Sequence, residues 1–392
     1  CIRDSYYLNG FRVVSELPAS KVTEMSFSTA VQDAVHKVFS KAPSGTPAGV
    51  RQTVIIDPLI DGLSGAQSFA TQSMGSQLAG LLHTDYPKFD VREFSAANAG
   101  KTRYVVIGTF TGVNKERKTK GERVAYRICL ALVDVKSGKV ASKAKVFAAA
   151  EGVDITPKAF FSDSPAWIPD PSAQAYIRSC QATKPGDPVD PRYLGQLRAS
   201  ALIGEAIDAY DRSDQQRSHE LFNRAAKTEG GDQLRTLNGL YLTSWGLGEF
   251  QQATEAFDKV VELGLKRGQF AVSFPFGPGS TDLLPLGGAL GQSNLWLTQI
   301  ARGTASREDC LEIIGHTQRG RPETRNDQLS LKRAEYLARR LEAEVPALRN
   351  RIIATGLGSE QNLIGSGTGD ARDALDRRIE FKVTRCPPGP AK

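Results

Sequence analysis

Hydrophobic positions in this chain recur with two periods, and the switches between them mark out its parts. Val22, Met25, Phe27, Val31, Val35 and Val38 step at roughly helical spacing over residues 21–40, after an extended tether over residues 1–20. SGTPAG at 44–49 is a loop, and the apolar run Val54–Ile56 is a buried strand that stops at Asp57-Pro58 and the turn Asp61-Gly62. A helix rich in small residues is predicted over 67–83, then strands over 89–94 and 104–110 and a basic turn over 114–122. Residues 124–133 and 139–149 read as a hairpin closed by the Lys136-Ser-Gly-Lys139 turn. Residues 21–154 thus form an α+β sandwich. Asp57 and Asp61, four residues apart beside Pro and Gly, read as turn residues rather than catalytic or metal-binding acids.

Residues 155–192 carry seven prolines and read as a semi-rigid linker, whose Phe160, Phe161, Trp167 and Tyr176 suggest packing on a neighbouring surface. Residues 193–265 are helical and self-similar. Tyr210 and Trp245, Asp214 and Glu249, Phe222 and Phe257, and Ala225 and Val260 are each 35 apart. Two helix pairs at this spacing resemble tetratricopeptide repeats, whose period is about 34 residues. Two repeats are fewer than a free-standing solenoid needs, so this unit is expected to lean on its neighbours.

The richest stretch is 310–383. The run Leu311–Ile314 ends at Gly315 as a buried strand does, and a polar loop leads into a helix over 324–345. Thr324 and Asp327 have capping-box spacing. Leu331, Ala334, Ala338, Leu341 and Val345 form one expected buried face, with Asn326, Ser330 and Arg333 on a neighbouring stripe near the helix start. An arginine beside a helix N-terminus suits a carboxylate.

At these residues the chain resembles the OmpA C-terminal-like domain, a family that includes the Pal lipoproteins and binds peptidoglycan. The residues carrying the resemblance are Gly315-His316-Thr317, then Asn326-x-x-Leu329-Ser330-x-x-Arg333-Ala334, then Asp376-Arg377-Arg378. It extends upstream to VSFPFGPGSTDLLP at 272–285, so a βαβαββ domain is expected over 266–386, with a tail at 387–392. The resemblance implies that Arg333 holds the carboxylate of the diaminopimelate stem peptide. It also implies that Thr317, Asn326, Leu329, Ser330, Arg377 and Arg378 shape or support the pocket, and that His316 belongs to the fold. Two positions depart from the family pattern. Gln318 stands where an acid follows GHT, and Asp376 stands where Asn begins the NRR motif. A neutral amide oxygen holds an ammonium less strongly than a carboxylate does. Weaker ligand binding, or help from Glu323 or Asp327, is therefore expected. A second resemblance, of 54–82 and 104–110 to the N-terminal modules of FlgO-like, CsgG-like and TolB proteins, rests on pattern and order.

Composition adds compartment and excludes some functions. With 392 residues the chain is too long for one ordinary core. Its net charge of +7 suits an anionic polymer, and no zinc-finger or RNA-binding signature points to nucleic acid. A first residue Cys1 resembles a mature bacterial lipoprotein, and Ile2 after it favours the inner leaflet of the outer membrane; both are expectations. Four further cysteines remain, Cys129, Cys180, Cys310 and Cys386, and allow three pairings. Cys310 with Cys386, and Cys129 with Cys180, is the pairing favoured if the strands bearing the first two are neighbours. With no CxxC and four scattered His, no metal or other cofactor is expected. With no Ser-His-Asp set or paired carboxylates in a cleft motif, no enzyme is expected. Two functions follow: an outer-membrane lipoprotein gripping peptidoglycan and recruiting envelope proteins through its N-terminal and repeat domains, or an assembly part of a flagellar, secretion or pilus machine in which the OmpA-like domain is scaffold.

Overall fold

The computed structural model describes residues 24–42, 50–284, 289–368 and 370–386, together with the paired two-residue strands β1 (Tyr7–Leu8) and β2 (Phe11–Arg12). Cys1, most of the expected tether, the loop at 44–49 and the tail at 387–392 lie outside these residues. Among the described residues no helix is long and apolar enough to cross a membrane, and no group of three or more His, Cys, Asp or Glu could hold a metal ion.

The N-terminal part contains α1 (Phe27–Phe39), β3 (Gln52–Ile56), β4 (Ile60–Asp61), α2 (Phe69–Asp85), β5 (Phe89–Arg92), α3 (Ala96–Ala99), β6 (Tyr104–Val113), β7 (Ala125–Asp134) and β8 (Lys139–Ala149). Its sheet runs β5-β3-β6-β7-β8, parallel through β6 and antiparallel beyond it, with β4 paired to β6. The period-two rule divides the side chains of β6 and β7 between two cores. Tyr104, Val106, Ile128, Leu130 and Leu132 join α1 and α2 on one face. Val105, Ile107, Cys129, Ala131 and Val133 meet the following helices on the other. Covered on both faces, β6 and β7 are buried almost throughout, whereas β8 alternates.

The segment expected as a linker is folded. It holds α4 (Ala159–Asp163), β9 (Ala166–Trp167), α5 (Pro171–Gln181) and α6 (Pro191–Gly195). Its prolines do not prevent this, because Pro171 and Pro191 stand at helix starts behind the capping residues Asp170 and Asp190. Its aromatics are anchors. Phe160 and Phe161 are buried, and Tyr176 donates its hydroxyl to the Pro58 and Gly108 carbonyls.

Four helices follow: α7 (Leu197–Asp211), α8 (Gln215–Ala226), α9 (Leu234–Gly246) and α10 (Phe250–Lys266). Positions 35 apart do the same job in both pairs. Phe222 and Phe257 are fully buried, as are Ala225 and Val260, and Asp214 and Glu249 precede the second helix of each pair. As expected of a short array, the second pair leans on its neighbour. Tyr241, Phe257, Val260 and Val261 share one apolar core with Trp296, Ile300, Leu337 and Phe381 of the C-terminal part.

The C-terminal part is β10 (Gln269–Val272), α11 (Ala289–Ala305), β11 (Cys310–Gly315), α12 (Glu323–Glu344), β12 (Ile352–Gly356) and β13 (Ile379–Thr384), a βαβαββ order. The sheet runs β12-β11-β13-β10-β9, so a strand from the supposed linker extends it by antiparallel pairing with β10. Cys310 and Cys386 are bonded across the start of β11 and the end of β13, with Cα atoms 4.9 Å apart. The expected Cys129–Cys180 bridge is not formed. Both are buried free thiols, and Cys129 donates its S–H to the Cys180 carbonyl at 2.9 Å.

Candidate ligand-binding site

Two glycines fix where α12 begins relative to the sheet. A Cβ on Gly315 would lie 2.0 Å from the Ser330 carbonyl oxygen, and one on Gly356 2.6 Å from the Asp327 oxygen. The helix therefore rests directly on the ends of β11 and β12, which only a residue without a side chain allows. Its buried face is consequently Asn326, Ser330, Arg333, Ala334, Leu337 and Leu341, rotated from the expected stripe, and Leu331 is exposed. The expected capping box is also absent. The helix starts at Glu323 after Pro322 with no side-chain cap. Glu323 instead accepts hydrogen bonds from Ser359 N and Oγ at 2.7 and 2.5 Å.

Beside the end of β11 lies a cavity of about 510 Å³. Thr317 and Gln318 reach it from the loop after β11, Asn326, Leu329 and Arg333 from α12, and Arg377 and Arg378 from the approach to β13. Seven of the eight residues expected in the site thus meet in one place. The eighth, Ser330, is fully buried beneath it, donating to the Asp327 carbonyl and accepting from Gly358 N at 3.0 Å. Glu323 and Asp327, expected as helpers, do not line the cavity.

Arg333 is held rather than free to swing. Its Nε donates to Ser280 O and its Nη2 to Gly277 O, each at 2.9 Å, and its guanidinium lies 4.7 Å from the centroid of the Phe276 ring. Burial, and then the nearby Arg321 and Arg377, lower its pKa to about 10. Gln318 turns its side-chain oxygen to Arg377 Nη1, which also donates to the Asp370 carbonyl at 3.0 Å. Arg378 is neutralised locally, its Nε and Nη2 donating to Glu380 Oε1 at 2.9 and 2.6 Å. Burial opposes ionisation of Glu380, but His316 and Arg378 outweigh it and hold the carboxyl down to about 2. His316 is buried with Nε2 3.4 Å from Glu380 Oε1, and burial lowers its pKa. It lines the cavity, and its Nδ1 is buried without a partner among the described residues. Thr317 Oγ1 and Arg378 Nη1 are buried without a partner among the described residues, and both residues line the cavity. Buried polar atoms of this kind are commonly satisfied by a ligand or water.

Asp376, the other departure from the family pattern, has a structural task. Oδ1 accepts from Leu363 N and Ile364 N at 2.6 and 2.9 Å, and Oδ2 from Gly365 N at 2.7 Å. An Asn would offer one oxygen to this loop instead of two.

Sequence reasoning missed the opposite wall. Phe274, Pro275, Phe276, Gly277 and Gly279 form it, and Ser162 of α4 reaches in from the supposed linker. The aromatic, Pro-rich and Gly-rich run at 274–279 was a readable signal for the first group. Ser162 carried none, since its place depends on β9 joining the distant β10.

The βαβαββ unit thus carries an arginine-lined pocket at the end of β11 and the start of its long helix α12. Residues 276–375 form an OmpA-family domain. A search of curated proteins finds no match. Similar solved structures include a MotB-like protein from Desulfovibrio vulgaris, with 21% identity, 34% of this chain and 95% of that chain covered, and a TM-score of 0.26. The peptidoglycan-associated lipoprotein from Burkholderia pseudomallei has 23% identity, coverage of 31% and 93%, and a TM-score of 0.26. The cell wall anchor of the T6SS from Pseudomonas aeruginosa has 22% identity, coverage of 30% and 80%, and a TM-score of 0.24.

Proposed function

We propose that this chain is a noncatalytic envelope protein that binds peptidoglycan through its C-terminal domain and presents its other domains to envelope partners. The observation that carries the reading is the convergence of Thr317, Gln318, Asn326, Leu329, Arg333, Arg377 and Arg378 on one cavity within an OmpA-family domain. Arg333 stays cationic at neutral pH despite burial, and no carboxylate of the described residues pairs with it. A stem-peptide carboxylate meets that need by a charge-assisted hydrogen bond. In the same reading the protein works at the periplasmic face of the outer membrane. The tetratricopeptide-like pairs α7–α10 and the N-terminal domain serve as the partner-binding part.

The test is co-sedimentation of the full chain with purified peptidoglycan. The parent is expected to pellet and Arg333→Ala to stay in the supernatant while keeping its fold by circular dichroism. If parent and variant both stay in solution, the domain is scaffold. That is the second reading, an assembly part of an envelope machine. It is favoured by one observation, that Gln318 spends its side-chain oxygen on Arg377.

A further inference from the structure

Arg321, Arg333, Arg377 and Arg378 line the cavity, and no Asp or Glu does among the described residues. Only Arg378 has a carboxylate partner, Glu380. Acids of the adjoining segments are committed elsewhere: Asp376 to three backbone N–H groups and Glu323 to Ser359. Gln318 Oε1, in the loop after β11, already takes a hydrogen bond from Arg377. A ligand ammonium entering here would therefore face Arg321, Arg333 and Arg377 with no negative charge to offset them. A ligand carboxylate would meet all three, along with the unpartnered Thr317 hydroxyl and Arg378 Nη1. Like charges brought together without a counter-charge repel, so the bias runs against the ammonium.

Resting on the peptidoglycan reading, we propose that the pocket selects a stem peptide whose diamino-acid carboxylate is free but whose side-chain amine is already acylated, as it is in a cross-link. The same peptide with a free ammonium is disfavoured. The site thereby distinguishes cross-linked wall from uncross-linked wall.

Isothermal titration of the full chain with two synthetic stem tripeptides tests this. They are identical except that one carries a free side-chain amine on the diamino acid and the other an acetyl group there. The acetylated peptide is expected to bind at least about tenfold more tightly. Gln318→Asp, which puts a carboxylate beside Arg377, is expected to abolish or reverse that ratio by strengthening the free-amine peptide. Equal binding of the two peptides by the parent, or tighter binding of the free amine, overturns the selectivity and leaves peptidoglycan binding standing. Binding of neither peptide, with no pelleting on intact wall, overturns both.

Discussion

Asp57 and Arg333 show how burial gives two charged residues opposite meanings. Arg333 is fixed by two carbonyl oxygens and an aromatic ring and faces a cavity, so its charge remains available to a ligand. Asp57 lies in the N-terminal core beneath Tyr193, which donates to its Oδ2 at 2.8 Å. Burial pushes the Asp57 carboxyl up from 3.8 to about 7, against the opposing Tyr193 hydrogen bond and Arg235 charge. A folded-state pKa above the unfolded one means the native state binds the proton more tightly. Its contribution is full below pH 4 or so and is lost as pH rises through about 7. The parent should therefore lose up to roughly 4 kcal/mol relative to Asp57→Asn between pH 4 and pH 8. Urea unfolding of both proteins at three pH values checks this, and parallel curves would rule out a titrating Asp57. Asp61, by contrast, accepts from Leu63 N, Ser64 N and Ser64 Oγ, and so closes the turn that its neighbours in the sequence suggest.

At the scale of elements, the pocket depends on how closely α12 approaches β11. Gly315→Ala would drive a methyl group into backbone of the helix, which cannot rotate away as a side chain could. The expected cost is about 1–3 kcal/mol from overpacking. Because Asn326, Leu329 and Arg333 ride on that helix, ligand binding should fall along with the melting temperature. Gly80 supplies the control. It sits within α2, where an added Cβ meets nothing within 4 Å, so Gly80→Ala should raise stability by about 0.5–1 kcal/mol with binding unchanged. Thermal melts and titration of the two variants separate these outcomes. The Cys310–Cys386 bond clamps the far ends of β11 and β13, away from the pocket, so its role is to hold the strands together rather than to touch ligand.

Across the whole molecule, the helical pair α9–α10 and the C-terminal sheet are parts of one body. Trp296 donates its indole N–H to Tyr241 at 2.8 Å, and Phe257 stacks on Trp296 with ring centroids 5.9 Å apart. The strand β9 completes one edge of the sheet, and Ser162 completes the pocket wall. A fragment of residues 266–392 would expose that shared core and lack β9. It should unfold at lower urea concentration than a fragment of residues 155–392 and show the greater tendency to self-associate. Denaturation and sedimentation velocity of the two fragments test this, and equal midpoints would show the smaller piece to be self-sufficient.

The sequence by itself determined the elements with strong local patterns and the chemistry tied to a motif. The hairpin β7–β8 follows from two strand-length apolar stretches joined by a Lys-Ser-Gly-Lys turn, and the Phe222/Phe257 repeat follows from a fixed spacing of 35. Gly315, Arg333 and Arg378 could be placed because spaced family residues hold several segments in order at once. The tertiary structure alone decided four further matters: that residues 155–192 fold, which stripe of α12 is buried, that Glu323 serves Ser359, and that Asp376 serves a loop. Each depends on a partner distant in the sequence, and local pattern holds no record of it. The amphipathic period of a helix says that one face will be buried. Only the surface it meets, here two glycine-ended strands and a loop of backbone carbonyls, says which face, and whether polar residues can be buried there at low cost.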